Sequence, residues 1–494
     1  MPRYNGCPAL ILVASAGHAS HMNPLSLSQA EYGAVFERIS QLALAYLGDL
    51  PSKPTFPQVT GTEAQSLFAH PLPEKGMGLA ALDDLTKIIA NIRAQGPRFF
   101  GYVLGSGEPV AAAADLLASV LNQNVTAWRS GPAAVTLERV VVGWIAEALS
   151  CTGFSGSLTS GGSFANLMGL AMAREARLPA NERGVGQPGR IYASEQVHMS
   201  IPKAVALLGI GRENLRLIPC DADFRIRADA LREAMRRDSL SGIPAIAVVA
   251  SAGTVATGSI DPLSEIADIA REFGGWFHID GAYGALAAIA EPQKFAGLSR
   301  ADSLSLDPHK WLYQPLDCGC LLYRDPSAAR VAFSHSGDYA KSLFADPIEA
   351  FAFFEESMEL SRRFRALKLW LSLRYHGLAS FRESIRNDLA SARYLATQIE
   401  DQPELELLAP APLSAVCFRY RLQGMATESL DALNQDILQT VVRSGKVFLS
   451  NATIHGKFAL RACITNHRTT QGDVRRVVEE VLSAGRKLST KANF

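Results

Sequence analysis

Between residues 110 and 371, short apolar runs of strand length alternate with segments of helical period, and few architectures accept that order. Arg190–Ala193, Leu215–Ile218, Ala245–Val249, Trp276–Asp280 and Gly319–Tyr323 read as strands, with helices over 228–237 and 263–273 between them. Such alternation predicts an α/β fold, a mostly parallel sheet sandwiched by helices. Amphipathic spacing over 28–49, a proline-rich crossing from Pro51 to Pro57 and a second helical segment over 79–92 read as an N-terminal helical arm. Beyond a long helical pattern that begins near Glu359 and runs through Tyr375, a strand at Ala415–Tyr420, a helix over 430–442 and a strand-rich stretch over 446–463 read as a small α+β domain. The expected division is therefore a leader and arm over 1–109, a large domain over 110–385 and a small C-terminal domain over 386–494.

Composition narrows the function classes. The chain has 494 residues, 48% of them hydrophobic, enough for two or three packed units. Its 48 basic and 48 acidic residues cancel and are interspersed, so no nucleic-acid tract or polybasic membrane anchor is expected. Seven scattered cysteines argue for reduced thiols rather than a disulfide framework, and hence for a cytoplasmic protein. Cys318-Gly319-Cys320 lacks a matching ligand pair and there is no HExxH, so no metal is expected. The apolar run from Cys7 to Ala16 has too thin a basic flank for a secretory signal and reads as a loosely ordered leader or an over-long start. No stretch reaches the roughly 18–20 apolar residues of a spanning helix. Gly209 and Gly211 form a lone G-x-G, not the strand-linked glycine pattern of a nicotinamide site.

Catalytic candidates fall at strand ends, as open α/β sheets require. Lys310 follows the apolar end of Ser303-Leu304-Ser305-Leu306, and Pro308 restrains the turn that carries it. An amine held there suits covalent attachment to a carbonyl group, although a surface lysine after a turn has the same local pattern. Asp280 closes the apolar run Trp276-Phe277-His278-Ile279, a costly place for a carboxylate unless a cation or a protonated ring nitrogen faces it. In Thr159-Ser160-Gly161-Gly162-Ser163-Phe164-Ala165-Asn166, glycines and hydroxyls precede an alanine-rich helix, an arrangement that can bind an anion or simply cap the helix.

The string A-D-S-x-x-x-D-x-H-K-W from Ala301 to Trp311 resembles the lysine segment of the group II pyridoxal-phosphate amino-acid decarboxylases, the family of the aromatic amino-acid, histidine and glutamate decarboxylases. His278-x-Asp280-x-Ala282-Tyr283 is similar to that family's aspartate segment, about 30 residues earlier. The resemblance spans roughly residues 28–485 and implies fold type I, the aspartate-aminotransferase-like fold, as a homodimer. It implies that Lys310 forms the Schiff base with pyridoxal 5′-phosphate and that Asp280 pairs with the ring nitrogen. Gly162 and Ser163 would contact the phosphate, with Asn166, Ala282 and His309 around the cofactor. His198, in Gln196-Val197-His198, would stack on the ring, and Thr254 would lie nearby, although Val255 replaces the second threonine of the family turn.

The substrate edge is less complete. Gly96-Pro97-Arg98-Phe99-Phe100-Gly101-Tyr102 resembles the family's H-P-R-F-F-x-Y with Gly96 in place of histidine; Tyr102 is the substrate-side candidate. Arg461, in the apolar strand Phe458-Ala459-Leu460-Arg461-Ala462, needs either a structural partner or a substrate carboxylate. Tyr339, in the glycine-containing loop His335-Ser336-Gly337-Asp338-Tyr339, stands where decarboxylases have the tyrosine that protonates substrate carbon; related aldehyde synthases carry phenylalanine there. The expectation is decarboxylation of an L-amino acid, aromatic before acidic or diamino. The alternatives are an oxidative aldehyde synthase and a catalytically silent binding subunit.

Overall fold

The computed structural model describes residues 23, 25–335 and 346–492. Helices α1 (Gln29–Asp49), α2 (Gly61–Phe68) and α3 (Asp84–Asn91) belong to one compact unit, made of residues up to Asp49 together with Val59–Ile92. A capping box in which Thr60 and Glu63 satisfy each other's backbone starts α2. The helix expected over 79–92 resolves into a 3-10 turn, Gly78–Asp83, followed by α3. None of the three helices holds a fully buried residue.

The second unit takes Leu50–Gln58 and everything from Arg93 onward. Helices α4 (Pro109–Leu121) and α5 (Pro132–Ala148) lead into the large sheet. Its elements follow in chain order: β1 (Ser155–Thr159), α6 (Gly162–Arg177), β2 (Arg190–Ser194), α7 (Ser200–Leu207), β3 (Leu215–Ile218), α8 (Ala228–Leu240), β4 (Ala245–Ser251), α9 (Leu263–Glu272), β5 (Trp276–Asp280), β6 (Ser303–Leu306), α10 (Pro308–Trp311), β7 (Gly319–Tyr323) and α11 (Pro326–Phe333). The seven strands run in the order β1-β7-β6-β5-β4-β2-β3, and β7 alone runs opposite to the other six. The expected mostly parallel α/β sheet is therefore observed.

The two-residue period of the strands sorts their side chains onto two cores. Tyr192, Val248, Phe277 and Ile279 pack on the side of α5, α8 and α9, with Val142, Leu231 and Ile266. Ile191, Ala247, Val249 and Trp276 pack on the other side, with Met168 of α6, Val205 of α7 and Ala329 of α11. Each fully buried aliphatic side chain contributes about 1.5–3 kcal/mol.

After the large sheet, α12 (Ala366–Glu400) bends at Gly377, whose φ of 75° departs from the helix. Residue 385, the expected domain boundary, falls within the helical stretch that follows this kink. A four-stranded antiparallel sheet follows, ordered β10-β11-β9-β8, from β8 (Leu405–Leu407), β9 (Ala415–Tyr420), β10 (Ser450–Ile454) and β11 (Lys457–Cys463). It packs through Phe418 and Leu460 against Leu395 of α12, Ile437 of α13 (Thr427–Ser444) and Val477 of α14 (Gln471–Ala492). Among the described residues no helix is long and apolar enough to cross a membrane.

Candidate active site

Three adjacent parallel strands end level with one another. Ser251 of β4, Asp280 of β5 and Ser305 of β6 are paired across the sheet, and their end of it opens on a cavity of about 530 Å³. Asp280 follows Trp276 and His278 at two-residue spacing, so all three turn toward α6. A chain of hydrogen bonds then fixes the carboxylate. The Trp276 indole N–H donates to Ser303 Oγ at 2.8 Å, and Ser303 Oγ lies 2.8 Å from His278 Nδ1. His278 Nε2 meets Asn166 Oδ1 at 2.9 Å, and Asn166 Nδ2 donates to Asp280 Oδ2 at 3.0 Å. The other carboxylate oxygen, Oδ1, accepts from the Ala282 N–H at 3.2 Å and the Ser305 hydroxyl at 3.3 Å. Burial pushes His278 down to about 4, so it remains a neutral relay.

Lys310 arrives from the next strand. Pro308 begins α10 directly after β6, and Lys310 follows within that single turn. Its Nζ lies 2.7 Å from Asp307 Oδ2 and opens onto the cavity. His309 Nδ1 accepts from the Cys318 N–H at 3.3 Å, and burial lowers its pKa. On the opposite wall, His198 Nδ1 lies 2.8 Å from Ser200 Oγ and accepts the Ser200 N–H at 3.3 Å. Burial also lowers the pKa of His198 and favours a neutral ring.

The start of α6 forms the far end of the cavity. Gly161 has φ 146°, which a side chain would strain. A Cβ on Gly162 would stand 2.5 Å from the Ala282 Cβ and 3.0 Å from Asp307 Oδ2, so only glycine allows this approach. No side chain caps α6. Its first N–H groups are thus available to an anion, with the helix dipole in support. Ser163, Thr254 and Ala282 complete this wall; the Thr254 hydroxyl lies 3.0 Å from that of Thr257.

Three expected residues are placed differently, and a fourth is not among the described residues. Asn166 is fully buried and does not border the cavity; its amide is spent on Asp280, Ser200 and His278, so it supports the carboxylate instead of touching the space above. Arg461 is 3% exposed and donates to the backbone carbonyls of Tyr102, Val255 and Ala256 and to Ser450 Oγ. Its partners are structural, and it braces the Val255 wall from behind. Tyr102 is 53% exposed and packs with Phe99 and Phe448 outside the cavity. Tyr339 lies outside the described residues. Two buried groups drew no assignment in the sequence: His278, whose relay needs three-dimensional neighbours, and Asp307, whose spacing three residues before Lys310 was a legible signal.

The fit to pyridoxal phosphate rests on this donor set. An amine, a braced carboxylate, a glycine-lined anion cradle and a flat neutral imidazole surround a single cavity, as an aldehyde, a ring nitrogen, a phosphate and a ring face require. Comparisons with known proteins agree. Residues 65–421 match the pyridoxal-dependent decarboxylase conserved domain. An aromatic-L-amino-acid decarboxylase of Bacillus atrophaeus is 32% identical over 473 residues, 94% of this chain and 98% of that protein. A phenylacetaldehyde synthase of Petunia hybrida is 30% identical over 77% of this chain and 81% of its own length. The crystal structure of Catharanthus roseus tryptophan decarboxylase in complex with L-tryptophan superposes with a TM-score of 0.86 at 28% identity, covering 94% of this chain and 100% of that one.

Fold and site thus define a pyridoxal-phosphate enzyme of fold type I. The chain belongs to the pyridoxal-dependent decarboxylase family, and its activity is that of an amino-acid carboxy-lyase.

Proposed function

We propose that the substrate is an aromatic L-amino acid, released as its amine and carbon dioxide, and that the side chains around the cavity divide the work. Pyridoxal phosphate, when bound, supplies a cationic ring that accepts the electron pair left by departing carbon dioxide. Lys310 provides the amine of attachment. Asp280 keeps a proton on the ring nitrogen, held in aim by Asn166, Ser305 and the Ala282 N–H. His198 would pack against the ring face, Gly162 and Ser163 would receive the phosphate, and Thr254, Ala282 and His309, which line the same cavity, would confine the cofactor. Tyr339 delivers the proton to substrate carbon. One observation carries this reading: Lys310 and a braced Asp280 face one cavity whose far end is the uncapped start of α6.

The aromatic preference is supported by relatives whose names state aromatic substrates. We further propose a cytoplasmic homodimer, since α1 to α3 hold no fully buried residue and Tyr32, Phe36 and Ile88 stand exposed on them. Residues 1–109, 110–385 and 386–494 then act as arm, cofactor layer and cap.

The test follows carbon dioxide and amine from tryptophan, tyrosine, phenylalanine, glutamate and diamino acids, with hydrogen peroxide and ammonia monitored in parallel. Release from aromatic substrates without peroxide is expected. Peroxide with aldehyde would replace this reading by the synthase one, which the Petunia relative represents. Tyr339→Phe should convert much of the amine product to aldehyde, and unchanged products would remove Tyr339 from the mechanism.

A further inference from the structure

Asp307 is the buried charged group of the cavity that the proposed function leaves unused. It is 3% exposed and stands at the N-cap position of α10, yet its side chain caps nothing. Oδ2 is 2.7 Å from Lys310 Nζ and 3.5 Å from His309 Nε2, while Oδ1 is buried with no hydrogen-bond partner. Both oxygens face the start of α6. Oδ2 lies 3.0 Å from the point a Cβ on Gly162 would occupy, and Oδ1 lies 3.8 Å from the same point on Gly161. A carboxylate thus borders the cradle that is to receive a phosphate.

Two anions in one shielded site do not both keep full charge unless a cation divides them. Lys310 is the cation paired with Asp307, and the cofactor aldehyde claims that same amine. The other groups facing this part of the cavity give little relief. His309 and His198 are held toward neutrality by burial. Asp280 adds negative charge, and Tyr283 is pushed well up by burial. Behind the cavity wall, burial pushes the Cys318 thiol up to about 12 and also raises that of Cys320 well above its ordinary value, so both stay neutral. Lys203 of α7 borders the cavity, but as an exposed side chain it is screened by solvent.

We propose that Asp307 takes up a proton from solvent when the phosphate-bearing cofactor enters, and that Oδ1 then forms an O–H···O hydrogen bond to the phosphate. This rests on the assignment of the α6 cradle to the phosphate. The proton converts a repulsive neighbour into a donor and gives the unpartnered oxygen its partner. Cofactor retention is thereby coupled to pH, and the affinity falls as pH rises because the complex holds a proton that the free protein lacks.

The test is calorimetric titration of the full-length apoprotein with pyridoxal 5′-phosphate, in buffers of different ionisation enthalpy, for wild type and Asp307→Asn. Wild type should take up about one proton more than the variant, since protons from attachment at Lys310 are common to both. The ratio of the two dissociation constants should widen by up to about tenfold per pH unit across the alkaline side. A measurement on wild type alone guards against misfolding of the variant: the difference infrared spectrum on cofactor binding should gain a neutral-carboxyl band. Equal proton uptake, a pH-independent affinity ratio, or a spectrum without that band would each overturn the proposal while leaving the cofactor site intact. Failure of wild type to bind the cofactor at any pH would instead overturn the site assignment, and this inference with it.

Discussion

Asp280 is defined more by its neighbours than by its own position. Two oxygens receive three donors, and the Asn166 amide is itself oriented by neutral His278. Asp280→Asn keeps the shape and removes the charge that retains a proton on the ring nitrogen. Carbon dioxide release should fall by about 10²-fold or more while cofactor absorbance persists; activity near wild type would sink the role. Arg461 makes the opposite case. With its donors spent on carbonyls, Arg461→Ala should lower stability by about 1–3 kcal/mol in urea unfolding, with KM for substrate little changed. A large rise in KM with unaltered stability would restore the substrate role that the sequence pattern offered. The contrast shows what was legible: Lys310 and Asp280 carry their chemistry in type and local setting, at the ends of apolar runs. Asn166 and Arg461 were recognisable as important but not as to purpose, because a buried amide or guanidinium takes its partners from distant segments. Arg461, for example, meets carbonyls some 205 residues away.

At the scale of elements, the strand-and-helix alternation transferred well. β3 and β9 fall on the residues expected, because apolar and aromatic side chains dominate both runs and a single arginine in each, Arg216 and Arg419, does not break them. β1, Ser-Gly-Ser-Leu-Thr, was not legible: four of its five residues have no apolar side chain, and burial between β7 and the helices makes it a strand. The second half of α12 was likewise hidden: the expected helix through Tyr375 stops next to Gly377, whose non-helical backbone kinks the chain before a further helical stretch to Glu400. Glycine also decides how α6 meets the sheet. A Cβ on Gly169 would come within 2.6 Å of the His278 ring and 3.2 Å of Ser303 Oγ, the two groups that carry the relay to Asp280. Gly169→Ala gains helix propensity yet overpacks this contact, for a net cost of about 1–3 kcal/mol. Thermal unfolding should shift downward, and carbon dioxide release should fall with cofactor still bound. A neutral or stabilising result would mean that α6 can move off β5 without disturbing the carboxylate.

For the whole molecule, buried titratable groups on the sheet set how stability follows pH. The His278 pKa is pushed down to about 4 in the folded chain by burial, with neighbouring Asp280 pulling weakly the other way. The unfolded chain, with an ordinary histidine near 6.5, binds more protons between these values. Folded stability from this group is therefore complete above about pH 6.5 and is lost as pH falls toward 4, with a slope of at most about 1.4 kcal/mol per pH unit. Asp261 works in the opposite sense. Burial pushes it up to about 6 despite the Ile226 and Ser251 N–H donors, so its contribution is present below about 3.8 and lost as pH rises through 6. The two partly cancel in the wild-type profile, so a difference measurement is needed. Urea unfolding of wild type and His278→Gln between pH 4 and 8 should show the variant losing less stability on the acid side while the alkaline arms run parallel. The same acid range should loosen the relay to Asp280, and carbon dioxide release in wild type should fall with the folded-state titration, ahead of unfolding. Parallel profiles over the whole range would mean that His278 is not the group through which the sheet registers acid.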